Sequence, residues 1–88
     1  MKIKDGFILR QVAGSHIAMP IGDRADEING VIELSAGGAL LWEKLSQGAS
    51  EDDLVNALLE KFEVDADTAR RDAVAFVENL RKNGLLEE

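Results

Sequence analysis

Residues Gly30 to Trp42, GVIELSAGGALLW, divide this chain into two halves of different character. Val31-Ile32-Glu33-Leu34 is a short β-prone run, Ser35-Ala36-Gly37-Gly38 breaks it, and Ala39-Leu40-Leu41-Trp42 opens an apolar helix. The residues before the break read as short strands that can pair with Val31–Leu34. Those after it read as helices that can cover the resulting sheet.

Three strands are predicted. Phe7 to Val12 is rich in β-formers and ends at Ala13-Gly14-Ser15, a hairpin signal. From His16 to Ile21 the pattern alternates, with Ile17, Met19 and Ile21 on one face and His16, Ala18 and Pro20 on the other. Pro20 cannot donate to a ladder and belongs at an edge or a strand end. Gly22 to Glu27 is a polar loop. Ile28 to Leu34 forms the third strand, with Ile28, Ile32 and Leu34 on one face and Asn29, Val31 and Glu33 on the other. Such a meander needs helices on one face to be stable.

Three helices complete the chain. The first runs from an N-cap at Ser35 to about Leu45 and is stopped by Gln47-Gly48-Ala49. Ser50-Glu51-Asp52-Asp53 sets a cap before three carboxylates, which favours a helix N-terminus there. Leu54, Val55, Leu58, Leu59 and Phe62 then recur at core spacing. The third helix begins at Asp65 or Asp67 and runs to about Asn83, with Gly84 as its C′ residue and Ala69, Ala73, Phe76 and Leu80 as its core stripe. Leu85 and Leu86 tuck back under the sheet. Strands first and helices after give an α+β fold: a three-stranded antiparallel sheet followed by three helices.

The 88 residues suffice for a single domain spanning 1–88, whose core must draw on nearly every large apolar side chain. Cysteine is absent, which excludes disulfides, thiolate metal sites and a cysteine nucleophile, and leans towards the cytoplasm. No apolar run approaches the roughly 20 residues of a membrane span, and the N-terminus lacks a signal-peptide core. Seventeen acidic residues against ten Lys and Arg give a net charge of −7, which repels a phosphate backbone and suits a peptide or protein partner.

Most chemical motifs are excluded by their spacing. His16 is the one histidine and cannot build a zinc site without further ligands. Asp23-Arg24-Ala25-Asp26-Glu27 lacks EF-hand spacing and carries Arg24 at its centre. Gly37-Gly38 lacks the Lys-Ser/Thr of a phosphate loop, and its small residues let the helix start pack closely on the strand. No nucleophile, metal set or paired acid and base stands in register, so an enzyme is not expected.

Two features point to binding. On the third helix Arg70, Val74, Val77 and Arg81 share one flank beside the core stripe, at spacing i, i+4, i+7, i+11. They form either the border of a wide core stripe or one wall of a shallow groove. Gly30 to Leu34 is free of proline, carries one charge, Glu33, and is a fair template for an added strand. The same free edge could instead pair with a second copy of the chain, giving a homodimer.

These residues, taken together, resemble the PqqD-like family of small peptide chaperones, also called RiPP recognition elements. The resemblance runs from about residue 6 to 86 through GFILRQVAG, IAMPIG, INGVIELSAGGALLWEKL and SEDDLVNALLEKFEVDADTARRDAVAFVENLRKNGLL. It rests most on the Asn-Gly before the strand, the Leu34…Gly38-Ala39…Trp42…Leu45 pattern and the closing Leu80-Arg81…Gly84-Leu85-Leu86. The family often opens its first helix with Asn, where Ser35 stands here and keeps an N-cap.

The resemblance implies a fold related to the winged helix-turn-helix and a non-catalytic chaperone without a cofactor of its own. Such a domain binds the leader segment of a ribosomally made precursor peptide, which adds to the third strand and lies against the third helix. Placed on this chain, the site would be the backbone of Val31, Ile32 and Glu33, flanked by Arg70, Val74, Val77 and Arg81. The implied partner is a radical S-adenosylmethionine maturase that holds its own iron–sulfur clusters, with pyrroloquinoline quinone biosynthesis among the implied pathways. A winged-helix DNA-binding domain shares the architecture. It would need a basic recognition helix, whereas Asp65 to Asn83 sets Asp65, Asp67, Asp72 and Glu78 against Arg70, Arg71, Arg81 and Lys82 and is neutral.

Overall fold

The computed structural model describes residues 1–27 and 30–87, with the side chain of Glu27 also outside the description. In chain order the elements are β1 (Lys2–Ile3), β2 (Phe7–Val12), β3 (Ser15–Pro20), α1 (Asp23–Glu27), β4 (Ile32–Leu34), α2 (Ala36–Gln47), α3 (Glu51–Lys61), α4 (Ala66–Lys82) and β5 (Leu86–Glu87). β2, β3 and β4 form an antiparallel sheet in that order, and β1 pairs with β5 in a separate two-stranded ribbon. The fold is α+β, with the three-stranded sheet and its covering helices as expected.

Local chemistry explains the helix ends. Ser35 accepts a 3.0 Å hydrogen bond from the Gly38 N–H and caps α2. Ser50 and Asp53 form a reciprocal capping box on α3, at 3.1 and 3.0 Å. Asp65 caps α4 by accepting from the Thr68 N–H at 2.7 Å. At the far end of α4, Gly84 (φ 71°) donates to the Arg81 carbonyl and Leu85 donates to the Leu80 carbonyl, the Schellman pairing that turns a chain sharply out of a helix. That reversal buries Leu85 and delivers β5 to β1, where the Lys4 N–H donates to the Leu85 carbonyl at 2.9 Å.

One core lies between the sheet and the helices. Leu45 of α2 and Leu54 of α3 are fully buried, each contributing about 2 kcal/mol by transfer out of water. Trp42 is buried against Phe7 of β2, edge to face, with ring centroids 5.4 Å apart. Ala18 of β3 and Ala69 and Ala73 of α4 are also buried, and their small size lets the layers approach closely.

The structure departs from the sequence reading at four places. Residues 23–27 form a short helix, α1, where a loop was expected; Arg24 fixes it to the sheet, its Nε donating to the Asp5 carbonyl and its guanidinium lying over the Phe7 ring. β4 is shorter than the expected strand, and the expected Ile28 and Asn29 lie outside the described residues. The β1–β5 ribbon joins the two ends of the chain. Finally, the core face of α3 excludes Leu59, which is 38% exposed, while the core face of α4 takes Val77 and leaves Phe76 only half-buried.

Candidate functional site

β4 is an edge strand: it pairs with β3 on one side and with no strand on the other among the described residues. Its register is Leu34 opposite His16, Glu33 opposite Ile17 and Ile32 opposite Ala18. Which groups face the open side is decided by the turn that starts the sheet. Ala13 (φ 51°) and Gly14 (φ 83°) form a two-residue hairpin turn between the paired residues Val12 and Ser15. The main-chain groups of Ser15 therefore face β2, and alternation along the ladder turns those of His16 and Ala18 towards β4. Ile32 and Leu34 answer them. The N–H and C=O groups of Val31 and Glu33 are left pointing outward, an unused template for a further strand.

Across from this edge runs α4. Between them lies a groove of about 600 Å³, within the size range of roughly 300–1,000 Å³ common for ligand sites. One wall is Val31 to Leu34; the other is Phe76 and Asn79 of α4 with its C-cap residue Asn83, and Leu80 and Leu85 lie deeper. Its upper end is closed by Ser35 and Gly38 at the start of α2. A smaller cavity shares Ser35, Gly38, Phe76 and Asn79 and continues along α4 to Asp72. The Asn83 amide donates to the Asn79 carbonyl at 2.7 Å and to the Asn79 side-chain oxygen at 2.9 Å, which fixes both amides along the rim.

Gly38 sets the width of this end. A β-carbon there would stand 3.3 Å from Ser35 Oγ, 3.4 Å from Phe76 Cε1 and 3.6 Å from Leu34 Cβ. The missing side chain is what lets strand, helix start and Phe76 meet. Of the Gly37-Gly38 pair, Gly38 has the packing role that the sequence suggested, whereas a β-carbon on Gly37 would meet Leu58 at an ordinary 3.8 Å.

The sequence-derived residues divide into two groups. Val31, Ile32 and Glu33 lie together along the groove, Val31 and Glu33 exposed and Ile32 half-buried. Arg70, Val74, Val77 and Arg81 do not line it. Val77 is 5% exposed and belongs to the core. Arg70 pairs with Glu51 and Asp52 at the start of α3, and those two carboxylates, Asp52 first, raise its pKa. Val74 is 37% exposed on the same flank, and Arg81 pairs with Glu78. The helix offers two flanks beside its core stripe, and the one facing β4 carries Asp72, Phe76, Asn79 and Asn83, again at i, i+4, i+7, i+11. The signal available for them was Phe76 at the edge of the apolar stripe, followed by two asparagines four apart.

Chemically, the groove offers main-chain hydrogen-bonding groups, an apolar floor and an amide rim. Among the described residues, no three His, Cys, Asp or Glu side chains stand close enough to hold a metal ion. None of the described helices is long and apolar enough to cross a membrane.

Comparison with known proteins adds to this geometry. The family model described as "Coenzyme PQQ synthesis protein D (PqqD)" matches residues 7–86. No curated protein matches the chain. Among solved structures, "TbiB1 in Complex with the TbiA(beta) Leader Peptide" superposes with a TM-score of 0.74 at 25% identity, covering 99% of this chain and 95% of the other. "Lasso peptide synthetase B1 complexed with the leader peptide" superposes with a TM-score of 0.72 at 22% identity, covering 99% and 96%, and at that identity shows the shared fold alone.

Proposed function

The chain belongs to the PqqD family, and from that premise we propose that it is a non-catalytic recognition domain for the leader segment of a ribosomally made precursor peptide. One observation carries the reading: the free edge of β4 runs beside α4 across an open groove with an apolar floor. An extended peptide entering there gains main-chain hydrogen bonds from Val31 and Glu33 on one side. Every second side chain points towards Phe76 and Leu80. That TbiB1 was solved with a leader peptide supports the same reading.

In this proposal Val31, Ile32 and Glu33 supply the strand edge, and Phe76, Asn79 and Leu80 supply the facing wall. Val77 packs α4 into the core and Arg70 ties it to the start of α3; in this reading those two, and Val74 and Arg81 on the same flank, do not touch the peptide. The bound leader is presented to a maturase; the family resemblance points to a radical S-adenosylmethionine enzyme, with pyrroloquinoline quinone biosynthesis as one such pathway.

Calorimetric titration with the leader of a precursor encoded beside this chain tests the proposal. Binding at micromolar affinity or better is expected, lost in Phe76→Ala and kept in Val74→Asp. Loss in Val74→Asp with retention in Phe76→Ala would move the peptide to the other flank of α4. Binding of duplex DNA in place of the leader would overturn the reading.

A further inference from the structure

The groove is one-sided in charge. Among the described residues, the charged side chains that line it and the smaller cavity beyond are Glu33 and Asp72, both acidic. Arg81 and Lys82 flank a separate hollow beyond Asn79, beside Glu78. The whole chain carries a net charge of −7.

Glu33 occupies a particular place in this field. Its neighbour across the β3–β4 ladder is Ile17, which offers no charge. Its side chain is exposed and has no ion-pair partner among the described residues. Its main chain faces the open edge, so a residue of an added strand would stand directly opposite it, with β-carbons about 5 Å apart. Side chains alternate along that strand. The residue opposite Glu33 would lie on the solvent face beside the carboxylate, and the residues before and after it would turn inward to Phe76 and Leu80.

We propose that Glu33 makes this groove selective for a peptide segment in which Lys or Arg stands between two apolar residues, the cation paired with the Glu33 carboxylate and the apolar pair seated on the α4 wall. The inference rests on strand addition at β4 and names the chemistry of the segment that is added. A cationic strand also approaches an acidic protein with favourable long-range attraction, so its association weakens as salt is raised.

The test is selection of a random heptapeptide phage library on the wild-type protein and on Glu33→Lys, followed by amide-shift mapping of the enriched peptides. Wild type is expected to enrich Lys or Arg flanked by apolar residues, and Glu33→Lys to enrich Asp or Glu at the same position. Replacing the central cation by Ala should weaken binding about two- to fivefold, the size of a cross-strand ion pair, and have no effect on binding to Glu33→Gln. If both proteins enrich the same central residue and the peptides still map to residues 30–34, the charge selection is overturned while strand addition stands. If the enriched peptides map elsewhere, both are overturned.

Discussion

The Phe76 ring of α4 lies against Gly38 of α2, so close that a β-carbon on the glycine would stand 3.4 Å from Phe76 Cε1. This contact ties the width of the groove to one hydrogen atom. Gly38→Ala should gain up to about 1 kcal/mol of helix propensity and lose a similar amount to crowding, leaving stability nearly unchanged. The ring is pushed towards β4, and leader affinity should fall several-fold. Gly37→Ala is the control: its β-carbon would meet Leu58 at an ordinary 3.8 Å, so stability should rise and affinity hold. Paired thermal melts and calorimetric titrations read both outcomes. Equal affinity in Gly38→Ala would separate Phe76 from the peptide.

The register of β4 makes a sharper distinction between adjacent positions. Glu33→Pro removes an N–H that faces the groove, whereas Ile32→Pro removes one that faces Ala18 across the sheet. The first variant should fold and fail to bind the leader. The second should melt at a markedly lower temperature. Circular dichroism reports the fold and calorimetry the binding; a Glu33→Pro protein that binds normally would mean the edge is not used.

The hairpin turn carries an avoidable strain. Ala13 sits at φ 51°, a left-handed conformation that costs an L-residue about 1 kcal/mol and that Asn tolerates better. Ala13→Asn is expected to stabilise the protein by about 0.5–1 kcal/mol, raising the melting temperature by a few degrees for a chain of this size. Neither turn residue lines the groove, so leader binding should not change.

Stability should also fall in acid, and for a stated reason. Asp53 is held below the ordinary aspartate range by hydrogen bonds from the Ser50 N–H and hydroxyl, and Asp65 by those from the Thr68 N–H and hydroxyl. The folded state therefore favours both carboxylates, and on acidification the unfolded chain takes up these protons first. Their contribution is complete above the ordinary value near about 4 and is lost as pH falls through the lower folded values. Melting temperatures measured from about pH 5 downward should drop over that window. Asp65→Asn keeps a capping side chain but cannot titrate, so its melting curve should depend less on pH.

Much of this architecture is local chemistry and was legible for that reason. The caps at Ser35, Ser50 and Asp65 each need only a side chain and an N–H three residues on; the first two stand where the sequence placed them, and Asp65 is one of the two helix starts it offered. β2 and β3 follow from composition and the Ala13-Gly14 turn. The β1–β5 ribbon was not legible, because its strands are two residues long and meet only after the Gly84 reversal returns the chain to its start. The choice of flank on α4 was not legible either. Periodicity fixes the core stripe but not which side of it faces the sheet. That side is decided by tertiary packing, including the pairing of Arg70 with Glu51 and Asp52 of α3.

The most direct measurement is an amide-shift NMR titration of the isotope-labelled protein with the leader of a precursor encoded beside it, alone and with the maturase present. Strand addition at β4 predicts shifts concentrated on Gly30 to Ser35 and on Phe76 to Asn83, with Val74 and Arg70 little affected. Shifts confined to the Arg70–Val74 flank, to the β2 edge or to no residue under either condition would contradict it.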